Sequence, residues 1–171
     1  MVEAIGIERF QHIQEKVTEV WVALETMKAF RRAAEADAAP NDYGMMTPDW
    51  DPLDASRNLY PRLYPRLIEI IQQIGASGLV GMPTLADLEG PLADDIARYY
   101  QSARLEAKER IPLFRLAWDT AVSAFGSRQV LYERFFFGDP VRMASAVFSN
   151  HDRTEYMERV RDFLRSSDEE A

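Results

Sequence analysis

The feature that most constrains the fold is a long apolar stripe near the amino terminus. No glycine or proline interrupts the chain between Gly6 and Pro40, and apolar residues recur there at steps of three and four. The stripe consists of Phe10, Ile13, Val17, Val20, Trp21, Leu24, Met27 and Phe30. This spacing predicts one amphipathic helix of about thirty residues. Because so long a helix needs long partners to cover its stripe, the sequence predicts an all-α, up-down four-helix bundle.

The rest of the chain is consistent with one domain over residues 1–171. Residues 39–58 are rich in proline, glycine, Asn and Asp and predict a long loop, whose aromatic and Met residues indicate a packed or functional segment.

No alternating pattern predicts a strand, and residues 167–171 form an acidic tail that is expected to fray. Tandem YPRL places Pro61 and Pro65 at a first turn or a kink. A second helix is expected to begin at residue 54 or 60 and to end at residue 76. Asp94 and Asp95 precede another helical stretch that continues through Tyr100. The remaining helices are expected over residues 104–124, 127–137 and 152–166.

Composition excludes several functional classes. The net charge of −8 argues against nucleic acid as a partner, because phosphate contacts need a basic surface. The chain has no cysteine, no apolar run of the ~18 residues that a membrane span needs, and no basic leader, so we expect a soluble cytoplasmic protein. The only histidines are His12 and His151, and Glu15, three residues after His12, is the nearest candidate for a second ligand beside it, so we predict no metal site.

Two segments of small residues stand out as candidate binding sites. In QQIGASGLVG, glycines follow a predicted helix, and Gln72 and Gln73 precede them by one turn. The segment matches neither a Walker loop nor a dinucleotide fingerprint. Exposed N–H groups and absent side chains would let a ligand approach the backbone, but a helix C-cap followed by a tight turn also explains the glycines. From the residues alone, the capping interpretation is the stronger.

The second segment, SAFGSRQVLYERFFFGDPVR, joins small residues to an aromatic cluster. Phe135, Phe136 and Phe137 cannot all face one side of a helix, so at least one should meet another element or subunit. Arg128 and Arg134 beside aromatic rings also suit an anion or an adenine ring, although packing within the chain is the simpler explanation. Ser77 and Ser127 lack the sequence context of a nucleophile, and we predict no catalytic residue.

Together, IIQQIGASGLVGMPT and LFRLAWDTAVSAFGSRQVLYERFFFGDPVRMA resemble the C-terminal domain of the 4-hydroxyphenylacetate 3-monooxygenase large-component family, over about residues 60–164. The resemblance implies an acyl-CoA dehydrogenase-like C-terminal four-helix bundle, which in the family follows a helical domain and a β-barrel. It implies FAD as cofactor, delivered as FADH2 by a separate reductase, and hydroxylation of a phenol with O₂. It also implies a homo-oligomer, a tetramer or a dimer, with Tyr132 and Phe135 to Phe137 at a subunit interface.

The resemblance also implies which residues contact the flavin. The adenine-diphosphate portion would meet the first segment, and the second would line the same cofactor. These residues are Gln72, Gln73, Gly75, Ala76, Ser77, Gly78, Ser123, Phe125, Gly126, Ser127 and Arg128. Family members are several times longer, so the chain is expected to be a truncated gene, an excised domain or one piece of a split enzyme, inactive alone. The alternative is a stand-alone helical interaction module that has lost catalysis.

Overall fold

The structure, a computed structural model, describes residues 1–84 and 86–169 and is built almost entirely from helices. The α-helices are α1 (Gln11–Ala36), α2 (Trp50–Gly75), α3 (Ser77–Val80), α4 (Ala93–Tyr99), α5 (Ala107–Ala121), α6 (Ala124–Phe135), α7 (Pro140–Asn150) and α8 (Thr154–Glu169). A 3-10 turn spans Ala86–Glu89, and strands β1 (Ala39–Pro40) and β2 (Met46–Thr47) form an antiparallel hairpin. The predicted all-α helical bundle is confirmed.

The two longest helices, α1 and α2, pack against each other. Helix α1 is shorter than predicted, because the chain turns at Gly6, with φ of +69°, and the helix begins only at Gln11. Arg66 on α2 holds Glu19 on α1 with two hydrogen bonds, from Nε to Oε1 at 2.7 Å and from Nη2 to Oε2 at 3.0 Å. The α1 stripe is only partly covered within the chain, since Trp21 is 58% exposed.

The connection after α1 differs from the expected loop over 39–58. It occupies residues 37–49 and contains the short hairpin, so the expectation of no strand was wrong at this point. Helix α2 begins at Trp50, where Asp49 caps it by accepting a hydrogen bond from the Asp51 N–H. Pro61 and Pro65 therefore lie inside the helix rather than in its first turn.

The core lies where α5 meets α2, α3 and α4. Ile111 and Phe114 are buried on α5, against Ile96 on one side and Leu79 on the other. Leu116, another apolar residue of α5, is exposed. Pro112 lies inside α5. The 3-10 turn is capped as its sequence indicates, and the Thr84 N–H and then its hydroxyl, both donating to Asp87, lower the pKa of that carboxyl.

Two helices follow the aromatic cluster, where the sequence had predicted one. Helix α7 begins with Pro140 at its first position and Asp139 as its cap, whose side chain accepts a hydrogen bond from the Val141 N–H. The predicted final helix is confirmed as α8, which continues to Glu169. Side chains after Ser166 and the last two residues of the expected acidic tail lie outside the described part of the chain.

Candidate functional site

The two small-residue segments meet at one end of the bundle. We call residues 72–78 the α2–α3 turn and residues 121–128 the α5–α6 turn. The Gln72 side chain donates a hydrogen bond from Nε2 to the backbone oxygen of Ala121 at 2.6 Å, which ties the two turns together. Segments that are about fifty residues apart in sequence therefore form one surface, which we call the helix-end site.

Glycines in the α2–α3 turn are required by packing. A Cβ on Gly75 would lie 2.4 Å from the Leu79 side chain, and one on Gly78 would lie 3.0 Å from the Phe114 ring. Between them, Ala76 has φ of +43°, a backbone conformation that costs a residue with a side chain about 1–3 kcal/mol. The residue that caps α2 is thus Ala76, and packing rather than capping accounts for the glycines on either side of it. Ser77, beside Ala76, is exposed.

In the α5–α6 turn, Ser123 shapes the start of α6. Ser123 is buried, and its Oγ accepts a hydrogen bond from the Gly126 N–H at 3.0 Å while donating to the Asp119 backbone oxygen at 2.7 Å. Gly126 sits directly on the backbone of α5, because a Cβ there would lie 2.5 Å from the Thr120 oxygen. This close approach fixes the direction in which α6 leaves the turn.

Donors at the helix-end site face solvent. Phe125, Ser127 and Arg128 are exposed, and among the described residues the Arg128 guanidinium has no ion-pair partner. Helix α6 is twelve residues long, and its amino-terminal N–H groups carry a partial positive charge that adds to that of Arg128. The surface therefore suits an anionic ligand. The Gln73 amide is less available to a ligand, because it already donates a hydrogen bond to Glu69 at 2.7 Å.

The aromatic cluster continues along α6. Tyr132 stacks on Phe136 with ring centroids 4.7 Å apart, and Phe136 meets Phe137 edge-on at 4.9 Å. Phe135, Phe136 and Phe137 are all exposed within the single chain. Phe137 meets another element, because the Arg57 guanidinium carbon on α2 lies 5.6 Å from its ring centroid, whereas contact with another subunit stays a prediction.

Neither histidine contributes to a metal centre in the part of the chain that the structure describes, which contains no group of three or more potential ligands. His12 is exposed, and the Nδ1 of His151 lies 3.3 Å from Asp51 Oδ2, where α7 ends beside the start of α2. No helix over residues 1–84 and 86–169 is both long and apolar enough to cross a bilayer.

Sequence reasoning missed a cavity between α2, α6 and α7. Its volume is about 290 Å³, and its wall includes Arg57, Arg62, Arg134 and Phe137. Of these, only Arg134 had been considered as an anion-binding residue. We call this cavity the arginine pocket. The repeated YPRL contains one of its arginines, but the sequence gives no sign that α6 and α7 complete the wall.

The fold and the helix-end site define an all-α helical bundle domain. The same fold occurs at only 16% identity in an archaeal 4-hydroxybutyryl-CoA dehydratase from N. maritimus, with a TM-score of 0.82 over 96% of this chain and 33% of that one. Residues 1–165 match the family model described as HpaB: 4-hydroxyphenylacetate 3-hydroxylase C terminal. The chain therefore belongs to this family, and the resemblance extends to the first helix, beyond residues 60–164.

Relatives with much higher identity are oxygenase components. The chain is 53% identical over 167 residues to the 4-hydroxyphenylacetate 3-monooxygenase oxygenase component of Thermus thermophilus, covering 98% of this chain and 35% of that protein. The corresponding protein of Geobacillus sp. is 50% identical, with 98% and 34% covered. A crystal structure of an HpaB oxygenase component complexed with FAD has a TM-score of 0.95 at 53% identity, covering 97% of this chain and 35% of that one. The chain thus spans about a third of the length of these relatives.

Proposed function

We propose that this chain is the C-terminal, FAD-binding and oligomerising part of a reduced-flavin-dependent aromatic monooxygenase that hydroxylates a phenol. The observation that carries the proposal is the combination of family membership with the helix-end site, where Gln72 and Ala121 join the two segments predicted to contact flavin. A relative of known structure at 53% identity is complexed with FAD. A related structure is complexed with FAD and 4-hydroxyphenylacetate, which makes a phenol the substrate class that we propose.

The residues of the helix-end site fit the anionic part of a flavin dinucleotide. Ser77, Ser127 and Arg128 are exposed and would bind the diphosphate or ribose, with help from the N–H groups that begin α6. Gly75 and Gly126 act indirectly, because they let the helices approach closely enough for both turns to share one surface. Reduced FAD supplies the electrons that activate O₂ for hydroxylation, and a separate reductase would provide it in that form.

Hydroxylation itself is expected to need more than this chain. The helix-end site is open to solvent, as the 67% exposure of Phe125 illustrates, whereas oxygen chemistry on a reduced flavin requires the exclusion of water. The matched relatives are about three times as long as the matched region. We therefore assign cofactor binding and assembly to this chain, and phenol binding and catalysis to the remainder of the enzyme.

Exposed apolar surface supports the oligomerising role. Trp21 and Leu24 project from α1, Phe135 and Phe136 from α6, and Leu164 from α8, each with about half or more of its surface accessible. Large exposed apolar areas of this kind mark protein interfaces. We propose that copies of the chain cover these faces in a homo-oligomer, a dimer or a tetramer.

A calorimetric titration with reduced FAD under anaerobic conditions tests the proposal. We expect saturable binding that Arg128→Gln weakens about tenfold or more, since a hydrogen bond from a charged donor contributes about 1.5–3 kcal/mol. Arg161→Gln on α8 is the matched control, because it removes the same charge from an exposed arginine outside the site. Sedimentation of the same samples should give a dimer or a tetramer. Self-association without any flavin binding would instead favour the interaction module.

A further inference from the structure

The arginine pocket lies apart from the helix-end site. On α2, Arg62 precedes Gln72 by ten residues, which corresponds to about 15 Å along the helix. On α6, the pocket residue Arg134 is near the carboxyl end, whereas the helix-end site is formed by the amino end. The pocket is therefore a separate feature that the proposed flavin contacts leave unexplained.

Positive charge in the pocket wall is not balanced within the described residues. Arg57 donates from Nη1 to Asp54 at 2.8 Å and from Nη2 to the Met143 sulfur at 3.4 Å. Its Nε is buried and has no hydrogen-bond partner. Arg62 and Arg134 form no ion pair or hydrogen bond with any described residue. Because Asp54 offsets the charge of Arg57 alone, the exposed Arg62 and Arg134 leave the wall with an excess of two positive charges.

Two acids lie near the pocket without belonging to its wall: Asp139, which caps α7 by accepting a hydrogen bond from the Val141 N–H, and Glu133. Glu133 is the nearest acid on α6, but it faces Tyr60 and Tyr64, whose pKa values are raised first by burial and then by this carboxylate. Glu133 also accepts a hydrogen bond from Gln129 at 2.7 Å. It is not part of the pocket wall.

Apart from Asn58, the remainder of the wall is apolar. Pro61 and Pro65 form one side, Pro140 contributes another, and the Phe137 ring lies 5.6 Å from the Arg57 guanidinium carbon. A flat ring placed beside Phe137 would therefore contact apolar groups while its charged substituent reached the arginines. The cavity of about 290 Å³ is at the lower end of the size of small-molecule sites.

We propose that the arginine pocket binds a phosphoryl group carried on a flat organic body, as in a nucleotide. A phosphate monoester carries about −1.5 to −2 charges at neutral pH, which matches the excess in the wall, whereas one carboxylate would neutralise only half of it. Guanidinium groups also match phosphate oxygens with paired hydrogen bonds. The proposal concerns this chain's own residues and does not require flavin to bind at the helix-end site.

ADP and adenosine are the probes that test it. Calorimetry on the full chain at low salt should give saturable ADP binding, with adenosine at least about tenfold weaker because it lacks the charged groups. Arg62→Gln and Arg134→Gln should each weaken ADP about tenfold, and Arg161→Gln should leave it unchanged. Neither pocket arginine has an internal partner, so both variants should keep the circular dichroism spectrum of the parent chain.

Competition with FAD identifies the source of the phosphoryl group. If FAD displaces ADP and Arg134→Gln weakens the binding of FAD and of ADP, the phosphoryl group belongs to the dinucleotide. If FAD and ADP bind at the same time, the ligand of the pocket is a separate phosphate compound. Each of these results supports the proposed pocket. Absence of ADP binding at millimolar concentration, equal binding of adenosine, or equal weakening by Arg161→Gln would overturn it. Because Arg128→Gln tests the flavin site alone, failure of that site and failure of the pocket are distinguishable.

Discussion

Replacing Gly126 with alanine tests whether close helix packing builds the helix-end site. The new Cβ would lie 2.5 Å from the Thr120 oxygen and 2.6 Å from the Asp119 oxygen. Both obstacles are backbone atoms of α5, which cannot rotate away as a side chain could. Reaching ordinary contact at 3.4 Å requires α6 to move away by about 0.9 Å. That movement would also stretch the hydrogen bond from the Gly126 N–H to Ser123.

The expected decrease in the free energy of unfolding is the sum of three contributions. Overpacking costs about 2 kcal/mol, in the middle of its usual range. Weakening the cap hydrogen bond costs about 1 kcal/mol. Alanine in a helix recovers about 1 kcal/mol relative to glycine. The free energy of unfolding should therefore fall by about 2 kcal/mol, which lowers the Tm by about 4–8 °C for a chain of this size.

Urea denaturation followed by circular dichroism measures this loss. Gly90→Ala is the matched control, because its Cβ would lie no closer than 3.6 Å to another atom. The control should change the free energy of unfolding by less than about 0.5 kcal/mol. A loss equally small for Gly126→Ala would refute the close approach of α6 to α5, and with it the account of how the two turns share a surface.

Three further predictions use other contacts of the fold. Ser123→Ala removes a helix cap and the donor to Asp119, and should lower the free energy of unfolding by about 1–2 kcal/mol in the same denaturation assay. Gln72→Ala should cost about 1 kcal/mol through the lost bond to Ala121, and hydrogen exchange should show a looser α5–α6 turn. The lowered pKa of Asp87 stabilises the fold above its ordinary value of 3.8, and this contribution is lost as pH falls through the lower folded value. Asp87→Asn should therefore lose less stability than the parent chain between about pH 5 and pH 2 in acid titrations.

The long, strongly periodic helices could be predicted from the sequence. Which face of each helix is buried could not always be predicted. Helix α5 carries apolar residues on more than one side, so Leu116 and Phe114 were both reasonable core positions. Packing against α3 decides between them, because Leu79 covers Phe114 and leaves Leu116 exposed. That choice depends on a contact between residues 35 positions apart.

Helix α7 was missed although its start signal is present in the sequence. Gly138, Asp139 and Pro140 were interpreted as the end of one helix. They are also the beginning of the next, because Asp139 is a good N-cap and proline is favoured at the first helical position. The same turn residues can therefore end one helix and begin the next. Helix α7 has eleven residues, which is too short for its apolar periodicity to show that a second helix follows.

The sequence marks the candidate site residues as unusual, but it does not show which contacts require them. Gly78 stood out in the sequence, yet the nearest atom that would crowd a side chain there belongs to Phe114 on another helix. The arginine pocket was beyond sequence reasoning for the same reason, since Arg57 and Arg134 come together only through the packing of α2 on α6. Family resemblance, in contrast, identified the two turns as a pair, and the hydrogen bond between Gln72 and Ala121 joins them.

The most direct test of the central claim is amide hydrogen exchange of the chain with and without reduced FAD. If the helix-end site holds the flavin, exchange should slow in the α2–α3 turn and the α5–α6 turn together, and the effect should be lost in Arg128→Gln. Unchanged exchange in both turns at saturating flavin, or protection confined to another part of the bundle, would contradict the assignment of flavin binding to these residues.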